Sequence, residues 1–268
     1  MSSSESSPVA RLRREPPRFR QVAVRRVEHR GPRLVRVTFA GPELEGLTVE
    51  DPAASVRLLL PSPGVDDLVM PTWNGNEFLL SDGRRPTLRT FTPRRVDSES
   101  RELDLEIVVH GGGAASTWAE KAGPGTAAAI SGPGRGYAID PGAPGWLLAG
   151  DETAIAAISQ LLEALPDDKP VQVHVEIAHP DGQLELPLHG NATVEWHQLP
   201  DGAPPGDALV TAVRQADIPE GTKVWAAGEA AAVQRIRRHL FEERGMARTL
   251  TSVRGYWKHG RTGDADQP

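Results

Sequence analysis

The sequence predicts an antiparallel β-barrel of six short strands, followed by an α/β domain with a parallel sheet. Three observations carry this expectation. The first half consists of short β-branched runs, some of them alternating, separated by Gly- and Pro-rich turns. The segment Pro141-Gly-Ala-Pro-Gly145 reads as a linker. After it, short apolar runs alternate with segments of helical spacing.

Composition narrows the class. The chain has 268 residues, enough for two ordinary domains. It is 38% hydrophobic and 25% charged, the balance of a folded globular protein, and its net charge of −6 argues against a nucleic-acid partner. Any anion site must therefore be a local basic pocket. Cysteine is absent, which excludes disulfides, thiolate metal sites and iron–sulfur clusters. The segment Met1–Pro8 has no apolar stretch of the kind a secretory signal needs. No run approaches the roughly 20 apolar residues of a membrane span. The expectation is a cytoplasmic protein with no membrane insertion, and a monomer.

Residues 1–16 are rich in Ser, Arg and Pro and read as a disordered tail. The barrel domain is expected over 17–140. Its strands are Phe19–Val27, Arg33–Phe39, Ala54–Leu60, the basic stretch Arg84–Arg95, Leu103–Val109 and Thr126–Ile130. The segment from about 62 to 83 reads as a polar loop, with Met70-Pro-Thr-Trp73 as an apolar plug or a cofactor-edge loop. The sequence Gly132-Pro-Gly-Arg-Gly136 has the wrong spacing for a dinucleotide fingerprint, and no helical pattern follows it.

The second domain is expected over 146–260. It runs strand 146–150, a helix with apolar positions at Ile155, Ile158, Leu161, Leu162 and Leu165, strand 170–177 and strand 193–197. Helix 208–216, strand 223–226, helix 230–244 and strand 249–254 complete it, and 261–268 is a second tail. Ligands of such sheets bind at the carboxyl ends of strands. Those ends are Gly150-Asp-Glu-Thr153 and Ala227-Gly-Glu229. Asp151 also suits a helix cap.

Two stretches of the barrel suit an anionic ligand. Arg84–Arg95 holds five arginines, and an arginine presents a planar fork matched to phosphate oxygens. The plain alternative is a strand with a charged edge. His110-Gly-Gly-Gly-Ala-Ala-Ser-Thr-Trp118 enters a helix-like segment after a strand, so bare N–H groups and the helix dipole would face an anion. The plain alternative is a flexible turn capped by Ser116.

An ordered set of motifs carries a more specific resemblance. These are Arg89-Thr-Phe-Thr-Pro-Arg94, Val109-His-Gly111 with Ala115-Ser-Thr-Trp-Ala119, Gly132-Pro-Gly134, Ala149-Gly-Asp-Glu-Thr-Ala154, Ala227-Gly-Glu229, and Gly255-Tyr-Trp-Lys258 with Gly260. In this order, over about residues 18–260, the chain resembles the siderophore-interacting proteins. These are FAD-dependent ferric-siderophore reductases with a ferredoxin–NADP reductase-like architecture.

The resemblance implies FAD as cofactor, with NADPH or NADH as donor and reduced ferredoxin as the alternative. It implies a ferric siderophore as substrate and release of ferrous iron. Arg89 would contact the FAD pyrophosphate, Phe91 the isoalloxazine ring, and Thr92 the reactive edge, with Thr90 between them. Phe91 stands where the family usually has tyrosine, which removes one hydroxyl. His110, Gly113, Ala115, Ser116 and Thr117 would cradle the phosphates or adenine; Trp257 would pack over the flavin or close the sheet domain. Gly150, Asp151, Glu152, Thr153, Ala227, Gly228 and Glu229 would face the nicotinamide nucleotide, although carboxylates repel phosphate. Glu152 or Thr153 would instead bond a ribose or the nicotinamide amide.

Arg57, Arg135 and Lys258 would form a basic triad for an anionic ferric siderophore. No residue is assigned a catalytic role of its own. The eight histidines are scattered with no metal-ligand spacing, so no metal site is expected. Two other readings stand beside the reductase: a general flavin or ferric reductase, and a non-catalytic siderophore- or flavin-binding protein.

Overall fold

The computed structural model describes residues 18–62, 64–65 and 67–260. Both expected tails, 1–16 and 261–268, lie outside the described residues, as does residue 17. The chain builds two main sheets and one short hairpin.

The first sheet is antiparallel and seven-stranded. Its strands are β1 (Phe19–His29), β2 (Leu34–Ala40), β3 (Val56–Leu60), β6 (Thr87–Phe91), β7 (Pro93–Asp97), β8 (Glu102–Val108) and β9 (Ala127–Ser131). Strands β4 (Thr72–Trp73) and β5 (Phe78–Leu79) form the hairpin, where the sequence suggested only a loop. Strand order is β6-β3-β9-β1-β2-β8-β7. Edge strands β6 and β7 are separated in sequence by Thr92 alone. The sheet must therefore curl until its two edges meet at that residue.

This corrects the expected strand count. The stretch 84–95 is two strands on opposite edges, not one. Proline lacks the N–H that a continuing ladder needs, and Pro93 accordingly opens β7 as its first residue. The barrel-like architecture itself is as expected.

Alternation explains the barrel core. Val35, Val37 and Phe39 on β2 face Leu103, Leu105 and Ile107 on β8, all at most 1% exposed. Thr38 breaks the pattern because its hydroxyl donates to the buried carboxylate of Asp104. Each such apolar side chain is worth roughly 1.5–3 kcal/mol on burial. Helix α1 (Ala114–Lys121) follows β8 and packs Ala119 and Trp118 on this core.

The second sheet is parallel, in the order β12-β11-β10-β13-β14. It comprises β10 (Trp146–Asp151), β11 (Val171–Ile177), β12 (Ala192–Gln198), β13 (Lys223–Glu229) and β14 (Thr251–Trp257). Helix α2 (Ile155–Ala164) covers one face through Ile155, Ile158, Leu161 and Leu162. Helices α3 (Asp207–Gln215) and α4 (Ala230–Arg238) cover the other, through Leu209, Val213, Val233 and Ile236. Helix α4 runs on into a π-helical turn, His239–Glu243, which fills the expected helix span.

Polar side chains join the two sheets. The Gln160 amide, on α2, donates to the Pro93 carbonyl at 2.7 Å and accepts from the Ala53 N–H at 2.8 Å. Arg94 donates to both Glu163 carboxylate oxygens, at 2.6 and 3.1 Å. Arg33, in the β1–β2 turn, pairs with Glu152 at 3.1 Å. Gly134 and Gly136 are required by close approach: a Cβ would lie 2.8 Å from the Ser55 hydroxyl and 2.3 Å from Asp51 Cβ, respectively.

Candidate functional site

The corner where β6 becomes β7 sits against the end of the second sheet. Thr92 is buried, and its hydroxyl lies 3.5 Å from that of Tyr256 on β14. Burial pushes the Tyr256 phenol above its ordinary value, so it stays neutral. Arg89 is half-buried and donates to the Leu88 carbonyl at 2.8 Å. Phe91 is half-buried and leans on the barrel core. Thr90 is exposed on the opposite face of β6, directly across from Arg57 on β3.

The outer arginines of this stretch have ordinary partners. Arg84 pairs with Asp82, Arg85 with Glu77, and Arg95 with Asp97, all at the surface. They are solvated ion pairs and carry no site.

The His110–Thr117 segment forms the strand-to-helix turn. Gly111 and Gly113 have φ of 70° and 78°, a region that favours glycine. Gly113 precedes α1, and among the described residues no side chain caps the helix. The first N–H groups of α1 are thus left without a side-chain acceptor, as a phosphate-binding turn requires. Ser116 is buried, and its hydroxyl accepts the His110 N–H at 3.0 Å. Its part is to close the turn. Ala115 packs on the barrel core, and His110 and Thr117 are exposed.

The strand ends of the second sheet are different. Asp151 accepts from the Thr153 N–H and hydroxyl, from the Glu229 N–H at 2.9 Å, and from the Trp257 indole N–H at 2.7 Å. Burial pushes its carboxyl up, against the pull of these four donors. Glu229 accepts from Ala231 and Ala232 at the start of α4, and from the His259 N–H at 3.2 Å. Glu176, at the end of β11, accepts from Gly206 and Leu209 at the start of α3. Its carboxyl is also raised by burial. Glu152 is engaged by Arg33 and the Ala178 N–H.

Most residues expected to face a nicotinamide therefore have internal work. The Asp151, Glu152, Thr153 and Glu229 side chains hold the strand ends and helix starts together. A Cβ on Gly150 would lie 2.5 Å from Ala154 Cβ, and one on Gly228 would lie 2.6 Å from Asp151 Oδ2. Ala227 is fully buried. Asp151 caps as the sequence suggested. The capping roles of Glu229 and Glu176, and the anchoring of Trp257 on Asp151, were not anticipated. For Glu176 the signal was present: a carboxylate closing an apolar strand.

Arg57, Arg135 and Lys258 are exposed, and none forms an ion pair among the described residues. Backbone contacts bring the segments of the first two together, with the Gly134 N–H donating to the Ser55 carbonyl at 2.6 Å. Arg254 of β14 donates to the Arg135 carbonyl at 3.4 Å, which places the last strand beside them.

A curled antiparallel sheet followed by a parallel α/β sheet is the two-domain architecture of the ferredoxin reductases. At 14% identity and a TM-score of 0.62, a ferredoxin NADP+ reductase from Neisseria gonorrhoeae with bound FAD and NADP shares this fold over 89% of this chain and 99% of its own. Residues 23–137 match the siderophore-interacting FAD-binding domain, and residues 143–260 match the siderophore-interacting protein domain. The chain belongs to the siderophore-interacting protein family. A siderophore utilization protein from T. fusca is 35% identical, with a TM-score of 0.82 covering 92% of this chain and 95% of that one. The ferric vibriobactin reductase ViuB of Vibrio cholerae is 29% identical over 87% of this chain and 86% of its own. No helix among the described residues is long and apolar enough to cross a membrane.

Proposed function

We propose that this chain is an FAD-dependent reductase that passes electrons from NADH or NADPH to a ferric siderophore, releasing ferrous iron. One contrast carries the reading. Among the described residues the α1 N-terminus beside β8 has no side-chain cap, whereas carboxylates occupy the strand ends of the second sheet, the turn before α2 and the starts of α3 and α4. An anionic pyrophosphate fits the first and is repelled by the second.

On this reading the barrel domain, 17–140, holds FAD, and the domain 146–260 receives the donor. Bound FAD accepts two electrons together and releases them singly, which matches a nicotinamide donor to a one-electron iron acceptor. Arg89 and the N–H groups after Gly113 hold the pyrophosphate. Thr92, kept in place by the neutral Tyr256 hydroxyl, orients the reactive edge. Phe91, next to Thr92 in the chain, and the part-exposed Trp257 are the aromatic side chains offered to the flavin. Arg57, Arg135 and Lys258 draw in the anionic substrate and ligate no iron.

The buried caps favour a donor that places no phosphate at the turn before α2 or at the starts of α3 and α4. A nicotinamide nucleotide must then lie along the rim of the strand ends. Reduced ferredoxin, which needs only a docking surface, is the second donor this observation favours.

The substrate half of the proposal is tested by steady-state reduction of a panel of ferric chelates. Neutralising Arg57, Arg135 and Lys258 together is expected to raise KM for an anionic ferric siderophore and to remove its dependence on salt. Equal rates on all chelates, with no salt effect, would instead indicate a general ferric reductase.

A further inference from the structure

The parallel sheet carries a second cluster, far in sequence from the residues of the flavin corner. His174 on β11 faces Glu195 on β12 in register, and His197 stands two residues further along β12 on the same face. His174 Nδ1 lies 3.0 Å from His197 Nε2. Glu195 Oε2 lies 3.9 Å from the first nitrogen and 4.0 Å from the second. A point equidistant from three atoms so spaced lies about 2.1 Å from each, the bond length of zinc to imidazole nitrogen and close to that to carboxylate oxygen.

From this geometry we infer that His174, Glu195 and His197 form a binding site for a divalent transition-metal ion of the Zn2+ type.

The donor set suits such an ion. Two imidazoles and one carboxylate are the ligands of open zinc sites, where water takes the fourth position. The strand pairing sets the spacing, so the ligands are presented by two hydrogen-bonded strands and not by a loop. His174 is 5% exposed, and its polar contacts among the described residues are those with His197 and Glu195. Its other nitrogen, Nε2, is buried with no partner among the described residues. The ring orientation is thus set by the cluster. Burial lowers the pKa of both imidazoles, which keeps them neutral and able to ligate. Glu195 is largely exposed at the edge strand, which leaves an approach for the ion and its water.

Sequence spacing conceals this set, because the two histidines lie 23 positions apart. The site stands whether or not the reductase reading does. A bound ion would staple edge strand β12 to β11.

The test is a Zn2+ titration of the tag-free, chelator-treated full chain by competition with a chromophoric chelator, alongside thermal unfolding with and without Zn2+. One equivalent is expected to bind and to raise the melting temperature. Glu195 is exposed and His197 half-buried on an edge strand, so Glu195→Gln and His197→Ala should fold. Each is expected to weaken Zn2+ by at least about tenfold, the loss that even an outer-shell partner can cause. The thermal shift should vanish with it. His179→Ala, outside the cluster, should change neither. Bound Co2+ should show d–d bands at longer wavelength than flavin, lost in both variants. Absence of saturable binding, or binding equal in wild type and both variants, would overturn the inference and leave a hydrogen-bonded histidine pair.

Discussion

The indole N–H of Trp257 donates to the carboxylate of Asp151 across 2.7 Å, joining the ends of β14 and β10. Asp151 also accepts from the Glu229 N–H, so one carboxylate ties three neighbouring strand ends together. Trp257 retains 36% of its surface exposed. It is thus an anchored aromatic that still presents surface at the carboxyl end of the sheet.

Removing this anchor while keeping a ring tests its structural share. Trp257→Phe should cost about 1.5–3 kcal/mol, the range for a hydrogen bond to a charged group. Urea unfolding of the purified variant reads this directly. A loss below about 0.5 kcal/mol would show that the bond contributes little.

The open turn before α1 predicts a selective effect on cofactor affinity. Gly113 has φ of 78°, and a Cβ there would lie 3.7 Å from the His110 ring. Gly113→Ala should strain the turn by about 1–3 kcal/mol and weaken FAD by roughly the same free energy. Gly125 also has positive φ, at 89°, and an added Cβ meets nothing within 4 Å. Gly125→Ala should therefore lower stability while leaving FAD affinity unchanged. Equal FAD affinities in the two variants would place the phosphates elsewhere.

The chain has two tyrosines, and burial raises the pKa of both. Each phenol is held neutral in the folded state beyond its ordinary value of 10.0. The stability each contributes is complete below that value and is lost as pH rises through the higher folded one. Ultraviolet titration of flavin-free protein should show little tyrosinate at pH 10 until unfolding begins. Tyr256→Phe should lessen the loss of stability above pH 10. Half-ionised tyrosine in folded protein at pH 10 would contradict the buried contact with Thr92.

Much of this architecture was legible from the chain. Long apolar periodicities such as Ile155–Leu165 reflect burial against a sheet, and burial is what the pattern records. The Arg84–Arg95 stretch shows the limit. Its composition revealed a basic strand, but only tertiary closure reveals that Thr92 is the point where two sheet edges meet. The hairpin at Thr72–Leu79 was missed because two-residue strands have no period to detect. The carboxylates at the strand ends were legible as residues and ambiguous in role. A cap and a ribose ligand call for the same side chain, and only its hydrogen-bond partners separate them. The His174–His197 contact depends on strand order, which no local spacing encodes.

The central claim is electron transfer through a bound flavin, and the absorbance spectrum tests it most directly. The purified protein should be yellow and should bleach anaerobically on addition of NADH, NADPH or reduced ferredoxin. A ferric siderophore added next should restore the oxidised spectrum, with ferrous iron captured by a chromophoric chelator. A yellow protein that no donor bleaches, or a bleached one that no ferric siderophore re-oxidises, would contradict the reductase reading.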